Sequence, residues 1–515
     1  MKKLFTHPWF FSFSVFFILW LLLASAIDLG ADEAHYVLYG MHPDWSYFDH
    51  PPLVGWIQSL FVKLGFWLGI SAHSPVHRIW FRLPSLLSFI WVLFECYHLR
   101  IKAFSLWSFS LAIVPGVMSL FFLPDTILLP LCLRLIRISA ENPAWTARRI
   151  ILIGLLLGLC GLSKYTAILV LPAFLYVAWH KLKSLPLRQQ IFTILSLAGI
   201  SLVTISPVLL WNATHDWISL KYQWSHILGE TQWSWTYLGA SLLSQWMGYG
   251  LILIPMLLLL ALKWIQNTFL SPILPRLSFR LKSQNPSPQL SYKEDLVQAD
   301  QAMNTLPDDL GIAQRTLLIL GLTVLIFFLK SSPYTFTLLH WTLVGWWALW
   351  LSLHDKIPVL VYRVQLYTYG MIWTLVTILL YLPLKLPELN LREVRGWPLL
   401  MSEINSQLST TDCLLISNWS YASRALFYAP SSLQSRIFVA DERKDQFDLW
   451  EQKRSHIICQ KKYALIFSSD SKSFETMGSH GLCPLIVEGT PPKPRTVEAP
   501  EQNWSHSYSL VRCKP

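Results

Sequence analysis

Acids, two lysines and a group of histidines border or interrupt apolar stretches of this chain, where charge is costly unless it is paired or used. Gly30-Ala-Asp-Glu-Ala-His-Tyr36 follows the first apolar run, so Asp32 and Glu33 sit at a lipid–water boundary with Tyr36 beside them. Asp44-Trp-Ser-Tyr-Phe-Asp-His-Pro-Pro-Leu53 comes next, and its double proline predicts an extended turn that holds Asp49 and His50 in a set direction. Asp125 stands in Leu123-Pro-Asp-Thr126 between two apolar runs, and Lys164 stands in Leu162-Ser-Lys-Tyr165 at the end of another. A later polar loop reads Trp211-Asn-Ala-Thr-His-Asp-Trp217 and then Tyr222-Gln-Trp-Ser-His226, with Lys330 and His340 further on. Each feature alone has a plain structural reading. Asp32 and Asp125 fit helix caps, Lys164 fits a snorkelling side chain, and lone histidines and tryptophans fit an interfacial belt. Together they set carboxylates that can take a proton, and a cation that can neutralise a departing anion, on one side of a membrane.

The elements that must position these residues are apolar helices. Hydrophobic residues make up 53% of the 515-residue chain and charged residues 14%, too few charges to cover a soluble surface of this size. The 26 Trp and 19 Tyr suit two membrane–water interfaces. Eleven spans are expected, near residues 10–27, 83–99, 103–123, 126–140, 149–163, 165–180, 190–210, 238–262, 316–330, 336–353 and 364–384. An uncleaved first helix fits better than a signal peptide, because no small-residue cleavage site follows it. With the N-terminus in the cytoplasm, the inside connections collect Lys2, Lys3, Arg100, Lys102, Arg134, Arg137, Arg148 and Arg149, while the outside ones hold few cations. The formal charge of +11 is therefore read as orientation and lipid contact rather than nucleic-acid binding.

This organisation predicts a transmembrane core over 1–384, an outer loop over 28–82, a polar cytoplasmic insertion over 263–315, and a soluble α/β domain over 385–515 on the outer face. Cys96, Cys132 and Cys160 read as packing residues, whereas Cys413, Cys459, Cys483 and Cys513 in the tail are available for disulfides in an oxidising compartment. Their pairing is open, and no CxxC spacing points to zinc.

Asp-Glu-x-x-Tyr at 32–36, Tyr-Phe-Asp-His-Pro-Pro-Leu at 47–53, Arg82-Leu-Pro-Ser85, Pro124-Asp125, Leu162-Ser-Lys164 and Trp211-Asn-x-x-His215 occur in one order along the chain. In that order they resemble the C-type (GT-C) glycosyltransferases, specifically the dolichyl-phosphate-mannose protein mannosyltransferase-like family that includes lipid A aminoarabinose transferases. The resemblance implies a bacterial inner-membrane enzyme that moves a sugar from a polyprenyl phosphate to a lipid A, glycan or protein acceptor on the periplasmic side, with inversion. It implies catalytic roles for Asp32 and Asp125, and donor-phosphate contacts for Lys164, His50 and Arg82. It further implies a substrate cavity that includes Glu33, Tyr36, Asp49, Trp211, Asn212 and His215, with a divalent metal at Asp49 and His226 as a candidate cofactor. His50 departs from the family pattern, in which lysine is common, and His35 replaces an arginine of the aminoarabinose enzymes. The competing class is a lipid-linked sugar flippase or transporter. The sequence shows no clear internal repeat and no paired Gly/Pro-broken spans at matching places, the marks of that class.

Overall fold

The computed structural model describes residues 8–141, 145–228, 232–266, 308–382, 395–439, 444–452, 457–467, 495–499 and 504–513. Single-turn helices aside, the first part holds α1 (Pro8–Ala26), α2 (Ala31–Met41), α3 (Leu53–Trp67), α4 (Leu83–His98), α5 (Ala103–Ser110), α6 (Ile113–Leu120), α7 (Pro124–Ala140) and α8 (Ala147–Ser163). It continues with α9 (Leu171–Leu182), α10 (Leu187–Thr214), α11 (Ile218–Leu228), α12 (Trp235–Tyr249), α13 (Leu253–Ile265), α14 (Asp308–Ser331), α15 (Leu343–Leu353) and α16 (Val359–Tyr381). Most of the polar insertion, 267–307, lies outside the described residues.

Each expected span contains helix, and between five and eight segments among the described residues qualify as spans by length and apolarity. Five segments are long and apolar enough to cross a membrane: His77–His98, Tyr165–Leu182, Leu187–Thr214, Leu310–Ser331 and Val359–Tyr381. Three bent pairs raise the number to eight at most among the described residues. Span 103–123 is α5 and α6 meeting at 84°, and span 238–262 is α12 and α13 meeting at 104°. The breaks fall at Leu111–Ala112 and at Gly250, where the regular helix stops; the φ of 144° at Gly250 is one that no other residue type adopts comfortably. The 17 residues of α7 and of α8 span only about 26 Å at 1.5 Å per residue, short of a bilayer core of ~30 Å.

α1 ends at Ala26, and α2 departs from it at 83°. α2 and α3 are thus a pair of helices beyond the first span, packed closely on each other. A Cβ on Gly40 would lie 2.7 Å from the backbone of Gln58 and Ser59, so only glycine permits that approach. Pro52 corrects the extended-turn expectation: at φ −80°, ψ −13° it starts α3 in helical backbone, where proline's missing N–H costs nothing.

The soluble domain holds α17 (Trp397–Gln407), β1 (Cys413–Ile416), α18 (Trp419–Tyr428), β2 (Ile437–Val439), α19 (Gln446–Gln452), β3 (Lys462–Phe467), β4 (Arg495–Ala499) and β5 (Trp504–Arg512). The sheet order is β2-β1-β3-β5-β4, with β1 parallel to β2 and β3 and the rest antiparallel. β1 is buried at all four residues, as its unbroken apolar run requires of a central strand. Cys413 pairs with Cys459, closing one of the disulfides that the sequence left open, while Cys96, Cys132 and Cys160 are buried free thiols. The domain sits on the α1–α2 corner. Tyr428 accepts from the Leu29 backbone N–H at 2.7 Å, and the buried Asp28 carboxylate accepts from the Trp397 N–H at 3.1 Å.

Candidate active site

α7 and α8 are consecutive and antiparallel, so the first turn of one meets the end of the other. Asp125 is the second residue of α7, after Pro124. Lys164 follows the last residue of α8 in extended backbone, φ −155° and ψ 142°, which releases its side chain from the helix. Ser163 Oγ donates to the Pro124 carbonyl at 2.8 Å and ties the two ends together. Lys164 Nζ then reaches both Asp125 oxygens, at 2.8 and 2.6 Å. Both residues are buried, and the positive end of the α7 dipole adds to the stabilisation of the carboxylate. His340 Nε2 is 3.9 Å from the same carboxylate, and Trp341 lies 5.9 Å from the Lys164 ammonium. The cap reading for Asp125 does not hold, because the N-cap is Leu123.

Asp32 occupies the second position of α2. It is not the cap either. The Gly30 N–H is taken by Glu33 Oε2 at 2.9 Å, and Asp32 faces a cavity of about 200 Å³. Burial pushes the Asp32 carboxyl up to about 6; Asp49 and Glu33 add to this, while Lys164 and Arg424 oppose it.

Asp49 lies on the loop between α2 and α3. It accepts from Tyr39 Oη, with His35 Nε2 and His50 Nε2 each 3.9 Å from its other oxygen. Burial would raise its carboxyl, but His50, His35 and the Tyr39 hydroxyl outweigh that and hold it below its ordinary value. The loop is fixed from several sides. Ser219 Oγ donates to the Tyr47 carbonyl at 2.7 Å and Gln223 Nε2 to the Asp49 carbonyl at 2.6 Å, both from α11. Gln446 Oε1 accepts from the Phe48 N–H at 2.7 Å.

The cavity wall brings together Asp32, Tyr36, Asp49, His50, Asp125 and Lys164 from the residues expected in the site. It adds His35, Phe48, Thr166, Tyr222, Gln223 and His340, an apolar margin of Phe328, Leu338 and Trp341, and Trp419, Asp445 and Gln446 from the soluble domain. That last trio was not expected from sequence. About 400 residues separate it from α2, and no local pattern marks it.

Other expected members are elsewhere. Arg82 is fully buried, and its guanidinium is spent on Glu33 (2.7 Å to each oxygen) and on the carbonyls of Ala24, Ile27 and Asp28 (2.9 Å each). It has no donor left for a phosphate, and Glu33 is likewise off the cavity wall. Trp211 and Asn212 are buried at the end of α10, where Asn212 Nδ2 donates to the Val208 carbonyl, and His215 stacks on Trp211 at 3.9 Å. None of these three lines the cavity. Arg82→Met is expected to destabilise the protein by about 3–5 kcal/mol by orphaning buried Glu33. Part of that should return in Arg82→Met/Glu33→Met, which removes the stranded charge but leaves the Ala24, Ile27 and Asp28 carbonyls without their donor, and donor binding should stay intact, when thermal unfolding and ligand titration are compared.

The side chain of His226 lies outside the described residues, and among those described no group of three or more His, Cys, Asp or Glu side chains is placed to hold a metal ion. Asp49 alone is an incomplete ligand set. No step below passes through an ion.

Carboxylates, a buried lysine and imidazoles thus share one chamber at the end of a helical membrane bundle, roofed by a mixed-sheet domain, a layout suited to group transfer at a membrane interface. Residues 49–211 match the family described as dolichyl-phosphate-mannose-protein mannosyltransferase. The fold is similar to the crystal structure of ArnT from Cupriavidus metallidurans bound to undecaprenyl phosphate, with a TM-score of 0.58 at 12% identity over 98% of this chain and 97% of that one. The apo-state structure of the same ArnT gives 0.48 at 13% identity with the same coverage. No curated protein sequence matches the chain. Over residues 49–211 the chain is thus similar to that mannosyltransferase family, and over nearly its whole length it shares the fold of the undecaprenyl-phosphate-bound ArnT structure.

Proposed function

We propose that this protein transfers a sugar from a polyprenyl-phosphate donor to a hydroxyl of an envelope acceptor (lipid A, another glycan or protein) on the periplasmic face of a bacterial inner membrane. The observation that carries this reading is the convergence of Asp32, Asp49, Asp125 and Lys164 on one cavity with an apolar margin. The family match and the fold supply the donor class by analogy. The Cys413–Cys459 disulfide supports the orientation, since such bonds persist in the periplasm and not in a reducing cytosol.

In this reading the acceptor oxygen attacks the anomeric carbon as the bond to the lipid phosphate breaks, and one displacement inverts that carbon. Positive charge builds on the sugar ring and negative charge on the phosphate. Lys164 neutralises the phosphate, and Asp125 fixes where the ammonium sits. Asp32 takes the hydroxyl proton; a carboxylate with a pKa of about 6 is a better base near neutrality than one at its ordinary value. Asp49 and His50 hold the polar side of the sugar or phosphate.

The test is direct. Purified protein with a synthetic polyprenyl-phosphate sugar and an envelope extract should release free polyprenyl phosphate and a glycosylated acceptor, both read by mass spectrometry. A flippase would move the donor across a vesicle without cleaving it, and that outcome would replace this reading.

A further inference from the structure

The soluble domain does more than cover the chamber. Its α19 begins at Gln446, whose Oε1 accepts the Phe48 N–H at 2.7 Å in a buried setting. Phe48 precedes Asp49. The neighbouring carbonyls of Tyr47 and Asp49 are held by α11, but the N–H between them is held by a side chain about 400 residues away. His35, on the other side of Asp49, donates to or accepts from Ser423 of α18 at 3.1 Å, and its ring meets Trp419 at 5.5 Å and Phe447 at 5.5 Å. Asp445 caps α19, with Oδ1 accepting the Phe447 N–H at 2.7 Å, so the position of Gln446 is itself fixed by a helix terminus.

We propose that Gln446 is a positioning residue for the transfer reaction, through which the C-terminal domain sets the Asp49–His50 loop, so that the chamber is complete only with that domain docked. The proposal rests on the sugar-transfer reading for its effect on rate and on geometry alone for its effect on the loop. A buried backbone N–H stripped of its acceptor must find water or another partner, and the loop shifts to provide one. A displacement of ~1 Å in such a site costs up to about 10²-fold in rate.

Two full-length variants separate this role from general packing. Gln446→Glu keeps an acceptor oxygen at the same reach; Gln446→Met keeps the volume and removes it. Hydrogen–deuterium exchange of the peptide containing Phe48 should show lost protection in the Met variant and near wild-type protection in the Glu variant. Turnover should fall roughly 10–100-fold in Met, with a change in kcat larger than in KM, and recover most of that loss in Glu. Unchanged protection in Gln446→Met overturns the contact. Lost protection with unchanged kcat overturns its catalytic role. If the wild type transfers no sugar, the functional reading fails, while the exchange data still decide whether α19 holds the loop.

Discussion

Lys164→Met is expected to abolish sugar release and to destabilise the protein by about 3–5 kcal/mol, because the substitution strands a buried carboxylate. Asp125 is only 2% exposed and receives two bonds from Lys164, at 2.8 and 2.6 Å. Without the ammonium its nearest basic neighbour is His340, 3.9 Å away. The stability loss alone would not show that Lys164 touches a donor, since any buried pair behaves this way when one partner is removed. The double variant Lys164→Met/Asp125→Asn separates the two roles. It removes both charges at nearly constant volume, so most of the stability should return, as neutral replacements of buried pairs often achieve. Donor binding and turnover should not return, because the chamber would then face the lipid phosphate with Asp32, Asp49 and Asp445 and no lysine. Thermal unfolding in detergent and titration with a polyprenyl phosphate measure the two quantities independently. A double variant that binds and turns over the donor like wild type would return Lys164 to a purely structural role.

The parts of this molecule that could be read in advance are those governed by local chemistry. Charge beside an apolar run is expensive, so Asp32, Asp125 and Lys164 stood out from spacing alone, and the structure sets all three on one cavity wall. The strands at Cys413–Ile416 and Ile437–Val439 are legible in the same way, as short apolar segments between polar ones. What stayed hidden depends on direction and distance. Arg82 and Asp125 have similar settings in sequence, each just before or within a first helical turn that contains a proline, yet one turns inward to Glu33 and the other toward the cavity. Hydropathy reports length and composition, so it merged α5 with α6 and α12 with α13 across breaks that bend by 84° and 104°. The soluble-domain wall of Trp419, Asp445 and Gln446 was not legible because nothing in a strand–helix pattern says which loop it will meet.

Asp32→Asn is expected to cut turnover by about 10²–10⁴-fold while the protein still inserts and binds donor. The amide is isosteric but cannot take the acceptor proton. The pH dependence gives a sharper test than the rate alone. A general base works deprotonated, and burial, with Asp49 and Glu33 nearby, raises the Asp32 carboxyl to about 6. Wild-type kcat/KM should therefore be level above neutrality and fall as pH drops through that value, to about a tenth one unit below it. At an ordinary carboxylate pKa the fall would come some two units lower. The Asn variant should lack this acid limb altogether, leaving a low rate that varies little across it. Asp49 cannot account for the limb, because its two histidine neighbours and the Tyr39 hydroxyl hold it below its ordinary value and ionised throughout the range. Initial rates of both proteins from about pH 5 to about pH 8, at saturating and limiting acceptor, resolve the question. An acid limb that survives in Asp32→Asn assigns the titration to another group and leaves Asp32 to position the acceptor rather than to take its proton.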